Sequence, residues 1–269
     1  MAAALIVTAL LFLCIGFLLG RFTNILKSEP SVPQISFIEP EIEAAVRSQL
    51  GLDEKAPLTS ESLAAVRGLY IYGTEVYRDR DEYDSQNLAD HIRGSIKTLE
   101  DLKVLPNLEE LCISLQGDLD ISELSQSKNL RHLVLKHMRI TDIDPLTEIP
   151  MLDYVELWEA GVSDVSMLSE LYRLDHLQIG FNPIQSMEQI GEFPYLHNLN
   201  IRGLKMDSLD GIESMINLEE ISIANAEIAD LSALRKLPKL TCIYASPDQI
   251  ETLQSLFDGT NVEIIEYAD

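Results

Sequence analysis

Eight side chains suited to molecular recognition stand in register along this chain. His132, Tyr154 and His176 follow one another at 22-residue intervals, Lys136 is followed by Trp158 after 22 residues and by Arg202 after a further 44, and Phe181 lies 44 residues after His137. Aromatic rings and guanidinium groups are the usual anchors of protein interfaces, because they desolvate large areas at little cost in rotamer freedom. The histidines could instead be metal ligands. If each 22-residue step is one strand, however, His132 and His176 lie about 10 Å apart at ~4.8 Å per strand, too far to share one ion. No metal site and no cofactor is expected, and a histidine-driven pH switch stays open. Reaction chemistry has no foothold: there is no nucleophile with an adjacent base, no Gly-rich phosphate loop and no H-E-x-x-H pattern. The acids are so numerous that no pair of them singles itself out as catalytic. The chain reads as a non-enzyme.

The period that aligns these residues runs through the chain beyond residue 105. Leu108, Leu130, Leu152, Leu174, Leu196, Leu218, Leu240 and Val262 open eight segments, and every interval is 22. Further apolar positions follow three and five residues later, as in Leu130, Leu133 and Leu135, alternating with polar residues as in a short strand with one buried face. The second half of each unit has a period of three, as in Ile140, Ile143, Leu146 and Ile149, which suits a 3-10 turn better than an α-helix. Asp120, Asp142, Asp164 and Asp230 precede those turns in one column and are expected to accept from free backbone N–H groups rather than to act as catalytic carboxylates. Pro106, Pro150, Pro194 and Pro238 close four of the units and stop the turn from continuing.

Stacked units convert this register into a surface map. The outward strand positions would carry Glu110, His132, Tyr154, His176, Asn198, Glu220 and Cys242 in one column and Cys112, Val134, Glu156, Gln178, Asn200, Ser222 and Tyr244 in the next. A third column holds Ser114, Lys136, Trp158, Gly180, Arg202, Ala224 and Ser246. His132, Lys136, His137, Tyr154, Trp158, His176, Phe181 and Arg202 should then form one contiguous partner-binding patch. The bland alternative is that aromatic residues occupy exposed strand positions for sheet propensity alone. Cys112 and Cys242 would be about 29 Å apart, well beyond the ~7 Å a disulfide tolerates, so they are expected as free, exposed thiols.

The spacing, together with NPI at 182–184 and ITDIDPLTEIP at 140–150, resembles leucine-rich repeat proteins of the short 22-residue class, with the bacterial internalin-like branch nearest. FIEPEIEAAVRSQLG and LTSESLAAVRGLYI are similar to the helical segment that often precedes such arrays. The resemblance covers about residues 37–267. It implies an α/β solenoid, a leucine-rich repeat horseshoe with a parallel concave sheet, a 3-10 or irregular convex side and a helical N-terminal cap, recognising a protein partner on the concave face. The family's Asn eight residues after the first Leu survives only as Asn182, against Gln116, Met138, Ala160, Leu204 and Ala226.

The array is expected over residues 66–269, behind a helical cap at 41–65 and a proline-containing linker at 28–40. The first unit is interrupted by an insertion at about 77–95, YRDRDEYDSQNLADHIRGS, which reads as a loop that either binds a partner or is simply solvated. Residues 1–27 read as a transmembrane anchor or signal segment, because Ala2–Gly20 is a run of 19 uncharged residues, about 28 Å long as a helix. The preferred reading is a membrane contact through residues 2–20 as an uncleaved span. Arg21 and Lys27 then place the bulk of the chain on the cytoplasmic side; the alternative is export after signal cleavage. With 20 Lys+Arg against 44 Asp+Glu and a net charge of −24, nucleic acid is excluded as a partner. The function expected is a membrane-tethered protein-protein interaction module. Its alternative is an acidic stoichiometric inhibitor or immunity-type protein that caps a basic enzyme or toxin.

Overall fold

The computed structural model describes residues 35–86 and 91–267. The chain divides into two units, residues 1–36 with 57–59 and residues 37–56 with 60–269. Of the first, only residues 35–36 and 57–59 are described, and their backbone is irregular; every element named below belongs to the second. The expected span at 2–20 and the linker residues 28–34 lie outside the described residues. Among those described, no helix is long and apolar enough to cross a membrane. The expectation of a membrane-anchored chain is corrected on that ground.

Helices α1 (Pro40–Leu50) and α2 (Ser60–Leu63) precede the first strand. In α1 a proline opens the first turn, Glu41 and Glu43 follow it, and Arg47 lies in the last turn, each placed to suit the helix dipole. Ile42, Ala45 and Val46 form its buried face. The buried Asp101 carboxylate accepts from the backbone N–H groups of Ile38 and Glu39 at 2.8–2.9 Å, and Glu39 accepts in turn from those of Lys97 and Thr98.

Ten strands make the main sheet: β1 (Gly68–Tyr72), β2 (Glu75–Tyr77), β3 (Glu110–Ser114), β4 (His132–Lys136), β5 (Tyr154–Trp158), β6 (His176–Gln178), β7 (Asn198–Asn200), β8 (Glu220–Ser222), β9 (Cys242–Ala245) and β10 (Glu263–Glu266). Their spatial order is β2-β1-β3 and onward in sequence to β10. All neighbours are parallel except β2, which runs antiparallel along the outer side of β1. Leu111, Leu133, Val155, Leu177, Leu199, Ile221 and Ile243 fall in one row across the sheet and are buried. These are the inward positions that the 22-residue alternation marks.

The final step departs from that period. Cys242 pairs with Glu263 and Ile243 with Ile264, a spacing of 21, so Val262 does not take over the role of Leu240. Here the connection is helix α5 rather than a 3-10 turn. It spans Pro247–Leu256 and is opened by a capping box between Ser246 and Gln249. Elsewhere the convex side follows the three-residue period. It carries 3-10 turns at Glu100–Val104, Ser122–Gln126, Asp144–Glu148, Ser166–Glu170, Ile212–Ser214 and Ser232–Lys236, and the short helix α4 at Met187–Ile190. Asp120, Asp142, Asp164 and Asp230 each accept from the backbone N–H two residues on, at 2.8–2.9 Å. Those bonds hold the Asp120 and Asp230 carboxyls below the usual range. They are caps, as their position ahead of the turns implies.

Asn182 bonds the backbone on both sides of its turn, accepting from Ala160 and Val162 N–H and donating to the Leu157, Ile179 and Gly180 carbonyls. Two glutamines supply the same kind of bond where asparagine is absent. Gln116 accepts from Ile96 N–H and donates to the Gly73 and Ser114 carbonyls. Gln249, reaching back from α5, donates to the Ile223 and Ala226 carbonyls. The ladder is less depleted than a count of asparagines suggests.

Candidate functional site

The concave face has two halves of different character. Over β1, β3 and β4 it is covered by the chain's own insertion, in which helix α3 (Arg80–Asp84) is capped by the Asp79 side chain accepting from Glu82 N–H. Tyr83 of this helix is 1% exposed. It packs on Tyr70, Tyr72, Cys112 and Val134, its hydroxyl bonded to Ser114 Oγ. The Lys136 ammonium lies 5.2 Å from the Tyr83 ring centre, and the Arg80 guanidinium 5.3 Å from that of Tyr154. The insertion therefore folds back onto the sheet that it interrupts, and is neither a solvated excursion nor a free binding loop over this stretch. One signal for this was present in the sequence. The column Tyr70, Cys112, Val134 is apolar at outward positions, where a solvated face would alternate, and turns polar at Glu156, Gln178 and Asn200 once the cover ends.

The structure gathers six of the eight expected site residues into two groups. His132, Tyr154 and His176 form one stack across β4, β5 and β6, with ring centres 3.9 and 5.7 Å apart. His132 is only 7% exposed beneath Arg80, so it supports the stack rather than meeting a partner, contrary to its expected exposure. Arg80 Nη1 donates to His132 Nδ1 at 3.2 Å, which leaves the ring proton on Nε2, buried without a hydrogen-bond partner. Burial and then the neighbouring guanidinium push the imidazole down to about 3, so it is neutral at physiological pH. Beside it the Tyr154 hydroxyl, raised by burial and by Glu156, donates to Glu156 Oε2 at 3.1 Å and accepts from Gln178 at 2.5 Å. Lys136 lies 3.6 Å from the other oxygen of Glu156.

Trp158, Phe181 and Arg202 form the second group. Trp158 and Phe181 have ring centres 5.0 Å apart, and the Arg202 guanidinium lies 5.4 Å from the Trp158 centre. Two glycines one unit further on hold the rings in place. A methyl group on Gly180 would meet Trp158 Cζ3 at 2.5 Å, and one on Gly203 would meet Phe181 Cδ1 at 2.5 Å. Each ring thus fills the place of the side chain missing at a glycine just past β6 or β7. Phe181 is 42% exposed, Trp158 is half-buried and Arg202 is 8% exposed. The burial of Arg202 has a cause that register did not reveal: Tyr267, just past β10, lies 3.8 Å from its guanidinium. His137 stands apart, its Nδ1 bonded to Glu159 at 2.7 Å.

Between α3 and Tyr267 runs a groove of about 670 Å³, bordered by Tyr83, Lys136, Glu156, Trp158 and Arg202. A basin of about 220 Å³ continues it over β7 and β8. Arg80, Tyr83 and Tyr267 were not among the expected site residues, because long-range folding brings them to the face and no period marks them. Among the described residues no group of three or more His, Cys, Asp or Glu side chains could hold a metal ion. Cys112 and Cys242 are both free, but both are buried rather than exposed. Cys112 lies under Tyr83, and burial raises its thiol. The arrangement is equipped for binding by rings, amides and paired charges.

No family model matches the chain, and no curated protein does. Solved structures do. It is similar to internalin C2 of Listeria monocytogenes at 24% identity and a TM-score of 0.61, over 78% of this chain and 94% of that one. A second Listeria monocytogenes internalin, inlF, gives 22% and 0.54 over 87% and 76%. A leucine-rich repeat protein of Leptospira interrogans gives 17% and 0.50 over 64% and 53%. At these identities the likeness establishes the fold: an α/β solenoid of the internalin-like, leucine-rich repeat kind.

Proposed function

We propose that this protein is a recognition module whose protein partner enters the groove between α3 and Tyr267. The cluster of Trp158, Phe181 and Arg202 carries the reading. Trp158 and Phe181 are held by tilted ring contact and glycine gaps, with Arg202 over the Trp158 ring, beside an open groove, the preorganisation that makes a contact productive. Of the eight residues expected at the site, Trp158, Phe181 and His176 meet the partner, Lys136, His137 and Arg202 shape the wall, and Tyr154 and His132 support it. Helix α1 serves as the N-terminal cap of the array, and no catalytic role is assigned. The acidic-inhibitor reading rests on the net charge of −24 and shares this surface. It differs in kinetics, since a basic target would associate fast and lose rate steeply with salt. The test is capture of a partner by the immobilised chain. Trp158→Ala together with Phe181→Ala should abolish capture while leaving the far-ultraviolet circular dichroism unchanged. Undiminished capture by that variant would refute the groove.

A further inference from the structure

The basin beside the groove has a chemistry of its own. Over β7 and β8 the outward side chains are Asn198, Asn200, Glu220 and Ser222, while Tyr244 and Tyr267 wall one side. Its volume of about 220 Å³ falls below the ~300 Å³ at which pockets for whole small molecules begin. That is room for one side chain. Two polar groups in it lack partners. Ser222 is 8% exposed and its hydroxyl makes no hydrogen bond. Glu220, two residues earlier on the same strand, has a carboxylate without hydrogen bond or ion pair among the described residues.

We propose that the basin receives a single arginine side chain of the protein partner. This deepens the groove reading and rests on it. An apolar occupant would leave both Glu220 and Ser222 unsatisfied, and an anion would meet the Glu220 charge. A guanidinium answers all the groups present: it donates in several directions at once, pairs with a carboxylate and stacks on phenol faces. The fold already contains one such contact, since the Arg202 guanidinium lies 3.8 Å from the centre of the Tyr267 ring that also lines the basin. At the Tyr244 wall the charge has the same sign. After the hydrogen bond and charge of Cys242, the Glu220 and Glu263 carboxylates both raise the Tyr244 hydroxyl. A chain with a net charge of −24 also draws basic partners over longer range.

The test is a titration of the full chain with the blocked pentapeptide GGRGG, followed by nuclear magnetic resonance of the Tyr244 and Tyr267 rings. Saturable shifts are expected. Affinity should fall about tenfold or more in Glu220→Gln, and the citrulline analogue, equal in shape but neutral, should give no saturation. Circular dichroism confirms that the variant is folded. Equal binding of the citrulline peptide, unchanged affinity in Glu220→Gln, or no saturation by the arginine peptide would each overturn the proposal. The two readings fail separately. Capture lost in Trp158→Ala with Phe181→Ala, alongside a failed titration, refutes the basin alone. Capture intact in that variant, alongside specific arginine binding, refutes the groove and leaves the basin.

Discussion

Gly180→Ala is the most direct probe of how the face is built. The new methyl carbon would lie 2.5 Å from Trp158 Cζ3 and 2.9 Å from Cε3 and Cη2, where carbon atoms otherwise rest at about 3.5–4.0 Å. An overlap of about 1 Å must be relieved by moving the ring or the strand. Overpacking of this kind costs about 1–3 kcal/mol. Against it stands the gain of about 0.4–1 kcal/mol from replacing glycine where the backbone is ordinary, so the net loss should be about 1–2 kcal/mol. For an array of this size that is a fall of roughly 2–8 °C in Tm. The ring itself reports its displacement, because Trp158 is the only tryptophan. Its emission should move to the red as contact with Phe181 and Arg202 loosens. Gly117→Ala is the control, since nothing lies within 4 Å of its added methyl, and it should be neutral or slightly stabilising. If Gly180→Ala leaves both the emission and the melting curve unchanged, the glycine gap does not position Trp158 and the preorganisation argument fails.

Two further outcomes follow from the covered half of the face. His132 has a folded-state value of about 3, below its unfolded value of 6.5, so between those limits the unfolded chain binds more protons. Its contribution is present above pH 6.5 and lost as pH falls toward 3. Urea titrations from pH 6 to 4 should lose stability more steeply in the wild type than in His132→Asn, by about 1.4 kcal/mol per pH unit, and equal slopes would refute the burial of a neutral ring. Tyr83→Ala should uncover Cys112: with Cys14 and Cys242 replaced by serine, its labelling by a thiol reagent should accelerate about tenfold or more, whereas an unchanged rate would show that α3 does not shield it.

The solenoid was legible because its cause is periodic. A side chain that must be buried recurs wherever the chain returns to the same depth, so Leu111, Leu133 and Leu177 can be read as one row before any coordinate is known. The site was legible only as far as it shared that period. His132, Tyr154 and His176 do stack as the register requires, but the period is silent about what lies above them. Arg80 and Tyr83 reach the face through an insertion, and Tyr267 by leaning in from the last strand. Both are closures over long sequence distances, set by shape complementarity rather than by spacing. The single-residue slip at β10 has the same origin, because α5 is a connection of a different kind and need not consume the same length of chain.

One column of the repeat bears on why the free part of the groove lies where it does. Leu115, His137, Glu159, Phe181, Gly203 and Asn225 stand 22 residues apart, and all have φ between 50° and 68°. Each is the left-handed step by which the chain leaves the sheet, a conformation costing a residue with a side chain about 1–2 kcal/mol relative to glycine. Glycine would be the cheapest choice at every one, yet of these six only Gly203 is one, where the Phe181 ring fills the space a side chain would need; Gly73, level with Leu115 on the strand before, is another, with the Ile92 carbonyl in that space. The other positions keep side chains despite the strain, and at His137 and Phe181 those side chains reach the rim of the face. The strain is relieved at Gly203, where the neighbouring ring already occupies the place of a side chain, and borne at Phe181, whose side chain reaches the rim. Phe181 combines both conditions: it accepts the strained backbone itself and fills the space left by the glycine beside it. In the proposed groove, its exposure and fixed place together suit it as an anchor, next to the half of the sheet that the insertion leaves open.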